Sequence, residues 1–175
     1  MRPRQPRRPR PPLDEAALKE LGLAYVARFA TSRSKLSEYL RRKLHERGWA
    51  GSGDPPIANI VEWASKAGFI DDQAYALSRA RSLGARGYGE RRVGQELRAA
   101  GIEEDDGAAA RHHASQTADE AALRFARRKR LGPFAAAAPD RKESDKALAA
   151  MIRAGHPFEL ARRILSLPPD FDPDA

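Results

Sequence analysis

The amino-acid sequence predicts an all-α protein of three tandem three-helix repeats, and its composition, proline placement and glycine spacing all favour that fold. Its 175 residues include 33 Ala and 16 Leu, against 3 Val, 6 Ile and 2 Thr. Ala and Leu are good helix formers, whereas β-branched residues favour strands. Residues 13–54 and 57–132 contain no proline, so long stretches of the chain can be helical without interruption.

The first predicted repeat contains three amphipathic helices with recognisable ends. The first helix should stop near 31–33, and Ser34 is a plausible N-cap of the second, which Gly48 ends. Asp54, followed by proline, should begin a third helix that Gly68 ends. Each helix carries apolar residues at helical spacing on one face. These residues are Leu18, Leu21, Gly22, Tyr25 and Phe29 in the first helix, Leu36, Leu40 and Leu44 in the second, and Ile57, Ile60, Val61 and Ala64 in the third.

Six further helices complete the second and third repeats. The fourth opens at Asp71 and Asp72, whose carboxylates suit the positive end of the helix dipole, and it breaks at 87–89. The acidic run 103–106 has the same explanation at the start of the sixth helix. The remaining predicted helices cover about 90–100, 103–116, 119–131, 140–154 and 157–166, with 133–139 as a linker or short turn.

The glycines that end the middle helices indicate an internal repeat. Gly48, Gly101 and Gly155 are separated by 53 and 54 residues. The next residue is apolar in the first two copies, whereas it is His156 in the third. We therefore predict three degenerate repeats between two tails. The predicted ranges are 1–12 for a basic tail, 13–68, 69–116 and 117–166 for the repeats, and 167–175 for an acidic tail.

The net charge of +8 is unevenly distributed along the chain. Residues 1–12 hold five Arg and no acid, and residues 167–175 hold three Asp and no base, which leaves +6 on the helical body. Both tails are proline-rich and aperiodic, and we predict that they are disordered. The arginine tail could contact phosphates, or it could be a solvated tail without a specific partner. The excess of 25 Arg over 7 Lys favours phosphate or carboxylate contacts, but a GC-rich genome would produce it too.

Several classes of protein are disfavoured by the same sequence. It has no cysteine, no apolar run long enough to span a membrane and no signal peptide, so we expect a cytoplasmic protein with no membrane association. His112 and His113 are neighbours that point about 100° apart on a helix and cannot share a metal ion in the way that i, i+4 histidines can. Phosphate-loop and nucleophile-elbow motifs are missing. We therefore predict no enzyme activity, no cofactor and no metal site.

One face of the fifth helix is the strongest candidate for a binding surface. At 100° per residue, Arg91, Gln95 and Arg98 share one side, while Val93, Leu97 and Ala100 share the opposite side. The first set should therefore be exposed over a buried face. An ordinary solvated helix face is the alternative. The flanking candidates are Arg79, Arg81 and Arg86 on the fourth helix, Tyr88 in the loop, where glycines should expose it, and Arg92.

The seventh helix carries a second basic stripe. Like charges at i, i+4 repel, so five basic residues in seven positions suggest an anionic partner. Screening by Asp119, Glu120 or the acidic tail is the alternative. The stripe consists of Arg124, Arg127 and Arg128, with Lys129 and Arg130 beside it, and a smaller cluster in the first repeat contains Arg41, Arg42 and Lys43.

A run of residues in the second repeat resembles the RecX family of bacterial regulatory proteins. The resemblance is dense over 68–102 and extends more loosely over 20–166. Its residues are Gly68-Phe69-Ile70-Asp71-Asp72, Tyr75-Ala76, Arg79, Arg86-Gly87-Tyr88-Gly89, Arg92, Gln95-Glu96-Leu97 and Gly101-Ile102. The third repeat departs from the family pattern through its PFAAAAPDRKE insertion and an alanine-rich middle helix.

The resemblance implies an elongated, curved array of helical repeats that binds the RecA recombinase filament. It also implies regulation, mainly inhibition, of RecA ATPase activity and strand exchange in DNA repair, recombination and the SOS response. On this hypothesis the protein is a monomer that binds single- or double-stranded DNA only weakly by itself. The alternative is an independent DNA-binding protein built of helix-turn-helix-like units, and a helical scaffold with no link to nucleic acid also stays open.

Overall fold

The computed structural model describes residues 11–169 and 171. These residues form nine α-helices, a short 3-10 turn at Gly132–Phe134 and an isolated parallel bridge between Leu13 and Trp49, with no β-strand among them. The all-α prediction is confirmed. The helices are α1 (Glu15–Val26), α2 (Arg33–Arg47), α3 (Ile57–Lys66), α4 (Asp72–Ala85), α5 (Glu90–Ala99), α6 (Ala108–Gln116), α7 (Ala118–Lys129), α8 (Arg141–Arg153) and α9 (Phe158–Leu165).

The chain folds into two compact units, and the boundary lies between Asp71 and Asp72. The first unit contains α1–α3, and the second contains α4–α9. Within these units the described residues form three apolar clusters, one for each successive group of three helices. The prediction of three tandem three-helix repeats is therefore confirmed at the level of helices and cores.

The first unit is built on the leucine faces of α1 and α2. Leu18, Leu36 and Leu40 are fully buried, and Ile60 of α3 joins them. Leu13 is also fully buried: its N–H donates to the Gly48 carbonyl at 3.0 Å and its carbonyl accepts from the Ala50 N–H at 2.8 Å. The segment that enters α1 is thereby fastened to the end of α2.

Several helix ends in the first unit differ from the predicted ones. Helix α1 ends at Val26, so Phe29 lies beyond it and is exposed instead of lying on its buried face. Ser32, not Ser34, is the N-cap of α2, and its hydroxyl accepts from the Lys35 N–H at 3.2 Å. Asp54 does not cap α3, which begins after Pro56 without a side-chain cap. Extended backbone at the cap position decides which serine accepts this bond.

Small side chains dominate the core of the second group. Ala76 and Ala80 on α4, and Ala110 and Ala114 on α6, are all buried in one cluster with Leu97 of α5. Alanine faces allow two helices to approach closely because no long side chain separates them. Helix α6 begins at Ala108, later than predicted, and the acidic residues 103–106 lie in the turns before it, not in its first turn.

The core of the third group contains a buried aromatic ring. Phe125 of α7, Met151 of α8 and Ile164 of α9 are buried together. Helix α8 begins with a capping box in which Asp140 accepts from the Glu143 N–H at 2.7 Å and Glu143 accepts from the Asp140 N–H at 3.1 Å. These two bonds satisfy amide groups that a helix start leaves free.

The two predicted tails lie mainly outside the described residues, which exclude 1–10, 170 and 172–175. Part of the predicted disordered basic tail is placed, however. The Pro11 carbonyl accepts a hydrogen bond from the Arg47 Nε at 3.0 Å. Residues 11 and 12 therefore belong to the ordered entry into the first unit, and the tail prediction is wrong for them.

Candidate docking surface

Helix α5 presents the polar stripe that the sequence predicts. Val93, Leu97 and Ala100 are at most 2% exposed, and they anchor one side of the helix in the core of the second group. The opposite side leaves Arg91, Gln95 and Arg98 exposed. We call these three residues the α5 stripe. Because its buried face fixes the rotation of the helix, the α5 stripe has a defined orientation.

The two positive charges of the α5 stripe belong to Arg91 and Arg98. Neither forms an ion pair with any residue in the described part of the chain. With Gln95 they line an open depression that Glu90 of α5 and Arg111 of α6 also border. The Arg111 guanidinium is held by the carboxylate of Glu104 at 3.0 Å and also donates to the Glu104 carbonyl. Because Glu104 pairs with Arg111, the two unpaired guanidinium groups of Arg91 and Arg98 outnumber the one carboxylate of Glu90, and the depression keeps a net positive charge.

Two of the predicted flanking arginines share one internal carboxylate. Arg79 of α4 and Arg92 of α5 both bind Glu96, at 2.9 Å and 3.0 Å. The carboxylate joins α4 to α5 and offsets part of the positive charge. Arg81 is exposed on α4 and forms no ion pair within residues 11–169 and 171.

Tyr88 is not the exposed aromatic that the sequence predicts. It is partly buried and packs against the cores of both the second and the third groups. The Arg86 and Arg128 guanidinium groups lie 5.2 Å and 5.9 Å from its ring centroid, within the range of cation–π attraction. Arg128 also donates to the Arg86 carbonyl. Both arginines thus have structural contacts that the sequence does not reveal.

The basic stripe of α7 is partly compensated from within the protein. Arg124 pairs with Glu120 at 3.0 Å, and Arg127 lies 5.2 Å from the Phe134 ring. Asp119 is bound by Arg163 of α9 at 2.6 Å, so it does not screen the stripe. Lys129 and Arg130, at the end of the helix, are exposed.

Arg41 and Arg42 belong to the first unit. Both are exposed on α2, where Arg42 is 3.8 Å from Glu46 and 5.5 Å from the Tyr39 ring centroid. Arg41 forms no ion pair among the described residues. The remaining candidates lie in the second unit.

The sequence reasoning missed the contact between the α4–α5 loop and the α8–α9 turn, which we call the joint. The Gly155 carbonyl accepts from the Arg91 N–H at 3.1 Å and so caps the first turn of α5, while the Gly89 N–H donates to the Ala154 carbonyl at 3.0 Å. A side chain on Gly89 would collide with the Gly155 carbonyl. The two backbones are in direct contact because both glycines lack Cβ.

His156 completes the joint. It is fully buried, its Nε2 lies 3.1 Å from the Gly87 carbonyl, and its ring packs 5.7 Å from that of Phe125. Burial lowers the pKa of His156 below its usual 6.5, against the opposing effect of the hydrogen bond to Gly87. The only sequence signal for this role was that His156 breaks the apolar pattern of its repeat.

Two further properties bear on the chemistry of the chain. Within residues 11–169 and 171, no three side chains among His, Cys, Asp and Glu converge to hold a metal ion. No helix in the described part has the length and apolar character that crossing a membrane requires.

The tandem three-helix groups define an all-helical repeat protein, and its second group exposes the cationic α5 stripe. Residues 71–110 match the family described as RecX, second three-helix domain. A protein named Regulatory protein RecX from Myxococcus xanthus (strain DK1622) is 33% identical over 95% of this chain and 92% of its own length. Another of that name, from Agrobacterium fabrum (strain C58 / ATCC 33970), is 27% identical over 76% of this chain and 73% of its own. The chain belongs to the RecX family of regulatory proteins.

Solved structures show the same fold. The crystal structure of RecX from Lactobacillus salivarius superposes with a TM-score of 0.67 at 17% identity and covers 86% of this chain and 93% of its own. A crystal structure of regulatory protein RecX gives a TM-score of 0.65 at 23% identity and covers 86% of this chain and 70% of its own.

Proposed function

We propose that this protein regulates RecA–DNA filaments, mainly by inhibiting RecA ATPase activity and strand exchange, and that the α5 stripe is a principal contact. Membership of the RecX family supports the regulatory role. The observation that carries the site is that Arg91 and Arg98 are exposed and free of ion pairs among the described residues, over a fully buried helix face. Such charges contribute to binding because no internal partner must first be released.

The mechanism needs only surface contact. A guanidinium fork fits carboxylates of a protein surface or phosphates of DNA. The buried face of α5, and the Gly155 carbonyl on its first turn, fix the backbone from which the two arginines project, so docking need not order that backbone. Regulation would then be steric and allosteric, through blocked nucleotide turnover or subunit addition. The protein would act in the cytoplasm, as a monomer and without cofactor or catalytic chemistry.

A titration of the DNA-dependent ATPase of RecA tests this proposal. Wild-type protein should lower the rate at stoichiometric ratios in low salt. Arg91→Glu combined with Arg98→Glu should raise the half-inhibitory concentration about ten-fold or more, because each reversal replaces attraction by repulsion. Lys142→Glu combined with Lys146→Glu is the matched control: it changes the net charge equally on exposed positions of α8.

Two outcomes would contradict the proposal. If the wild-type protein leaves the ATPase unchanged, the chain is not a regulator of RecA. If both double variants weaken inhibition equally, net charge rather than the α5 stripe determines binding. Circular dichroism of each variant would verify that the helices are retained.

The salt dependence of DNA binding separates this function from that of an independent DNA-binding protein. Direct binding through Z phosphate contacts falls with salt with a log–log slope of about −0.9Z. A regulator that docks mainly on RecA should bind DNA weakly alone and tightly when the filament is present. Tight, strongly salt-dependent binding to duplex DNA without RecA would favour the alternative.

A further inference from the structure

The first unit carries a group of aromatic rings near its surface. The rings of Tyr25 and Tyr39 are stacked with centroids 4.2 Å apart and an interplanar angle of 16°. The Phe29 ring lies 5.4 Å from that of Tyr25 and is tilted against it. Phe29 is 55% exposed, whereas the two tyrosines are half-buried. The three rings follow one another from the half-buried Tyr39 through Tyr25 to the exposed Phe29. We call these three residues the ring cluster.

The backbone of Phe29 is fixed by a hydrogen bond. Its N–H donates to the Tyr25 carbonyl at 3.0 Å in the turn that follows α1. The residue therefore projects from an ordered turn with one neighbour ring already beside it. Single exposed apolar residues are common on protein surfaces, so exposure alone does not identify a binding site.

The charge around the ring cluster supplies the second observation. Helix α2 contains six basic and two acidic residues, a net charge of +4. The Arg42 guanidinium and the Lys43 ammonium lie 5.5 Å and 5.8 Å from the Tyr39 ring centroid. Arg41 on α2 and Arg28 beside Phe29 are exposed and form no ion pair within the described residues. Arg28, Arg42 and Lys43 thus lie beside the ring cluster. Arg41 does not, because two residues of helix place it about 200° from Tyr39 around α2.

We propose that the ring cluster and the cations beside it form a binding site for single-stranded DNA, with a base stacked on Phe29 and the backbone on Arg28 and Arg42. Single-strand sites combine a basic track with aromatic platforms, because every base has a π-face. Duplex DNA keeps its bases inside the stack and could use only the cations. An acidic protein segment would likewise use the cations but gain little from the ring.

This inference rests on the proposed function in one respect, since it assigns to the first unit the nucleic-acid contact of a filament regulator. Direct binding can nevertheless be measured without RecA. The test uses the full chain, fluorescence anisotropy and a labelled oligodeoxythymidine of about 20 nucleotides, a length that exceeds a typical single-strand site.

The decisive comparison is Phe29→Ala against Phe69→Ala. Phe69 is also on the first unit and is 50% exposed, but it lies beside Trp63 of α3 instead of α2. Phe29→Ala should weaken binding about five-fold or more with the salt slope unchanged, while Phe69→Ala should bind like wild type. Arg28→Gln combined with Arg42→Gln should weaken binding and flatten the salt slope by about two contacts.

An abasic strand of the same length supplies the complementary control. Without bases to stack, wild type and Phe29→Ala should bind it equally. The inference is overturned if Phe29→Ala binds the thymidine strand like wild type, or if it loses as much affinity for the abasic strand. It is also overturned if Phe29→Ala weakens binding of poly-glutamate equally, because the site would then be one for acidic protein.

These results are independent of the ATPase titration. If wild type inhibits RecA while Phe29→Ala binds single strands normally, this inference fails and the proposed function stands. If Phe29→Ala loses single-strand binding while wild type has no effect on RecA, the site is real and the proposed function fails.

Discussion

The turns that follow α5 and α8 have the same backbone design but different partners. In each, the N–H after a left-handed glycine donates to a carbonyl five residues earlier: Ile102 to Leu97 at 3.0 Å and His156 to Met151 at 3.1 Å. This is the hydrogen bond of a Schellman helix end. Ile102 then packs into the core of its own group, whereas His156 binds the Gly87 carbonyl of the preceding group.

The difference shows how one repeated element acquires a second role. The apolar residue of the second group only closes a core. The histidine of the third group carries a polar atom that reaches across to another loop, so the helix end becomes part of the joint. A repeat can therefore change its neighbour contacts through one residue, without any change in its own helical geometry.

The largest expected effect comes from adding a Cβ at Gly155, where the two backbones of the joint are in direct contact. Gly155 has a φ of 97°, and a Cβ there would lie 2.5 Å from the Arg92 nitrogen. Gly155→Ala should lower the free energy of unfolding by about 3 kcal/mol or more, from backbone strain and collision together. Denaturation by urea, followed by circular dichroism, would measure this loss.

Gly68→Ala is the control for strain without collision. Gly68 has a φ of 77° with nothing within 4 Å of the position that a Cβ would take, so about 1 kcal/mol should be lost. Both tryptophans, Trp49 and Trp63, lie in the first unit, and their fluorescence follows this loss directly. If the two variants lose the same free energy of unfolding, the collision of a Cβ at Gly155 adds nothing to the backbone strain. The two backbones of the joint would then not be in close contact.

A smaller effect is expected from pH. Burial favours the neutral form of His156 in the folded protein and so lowers its pKa, and its Nδ1 is buried without a hydrogen-bond partner among the described residues. Because the folded-state pKa of His156 is lowered, the contribution of the neutral ring to the free energy of unfolding is fully present above about pH 6.5. The contribution is lost as pH falls below that value, since the unfolded chain then binds the proton more readily.

The measurement is the urea midpoint at pH 7.5 and pH 5.0 for wild type and for His156→Gln. Wild type should lose more stability than the variant, by at most about 1.4 kcal/mol per pH unit. Glutamine retains a donor for the Gly87 carbonyl but does not titrate. Identical pH dependence in the two proteins would mean that the joint does not exclude the proton.

The sequence predicts the helices and their buried faces well, because those depend on local spacing. The α5 stripe follows directly from the positions of Val93 and Leu97. The ends of helices are predicted less well: Ser32 and Ser34 are both suitable cap residues, and only the backbone conformation distinguishes them. An acidic run such as 103–106 also suits a turn as well as a first helical turn.

The partners of the arginines could not be predicted, because they depend on contacts between residues far apart in the chain. Glu96 binds both Arg79 and Arg92, so one carboxylate offsets part of the charge of two candidates. Arg128 contacts a loop 42 residues away. Spacing on one helix reveals which side chains are exposed, but it does not show which of them are already paired.

The smallest effect is expected at Arg128, on the other side of the joint from His156. Its guanidinium donates to the Arg86 carbonyl and lies 5.9 Å and 5.4 Å from the ring centroids of Tyr88 and Phe125. Arg128→Ala should lower the free energy of unfolding by about 1 kcal/mol. Arg124→Ala, which removes an exposed pair with Glu120, should cost at most about 0.5 kcal/mol.

Arg128→Lys distinguishes a structural role from a role in binding by charge. Lysine keeps the positive charge but lacks the planar fork that reaches a carbonyl while stacking on rings. If Arg128 serves the joint, Arg128→Lys should lose most of the stability that Arg128→Ala loses, as thermal denaturation would measure. If lysine restores full stability, charge alone suffices at this position. The loop around Tyr88 would then be held by its apolar packing and His156, and Arg128 would be available for an anionic partner.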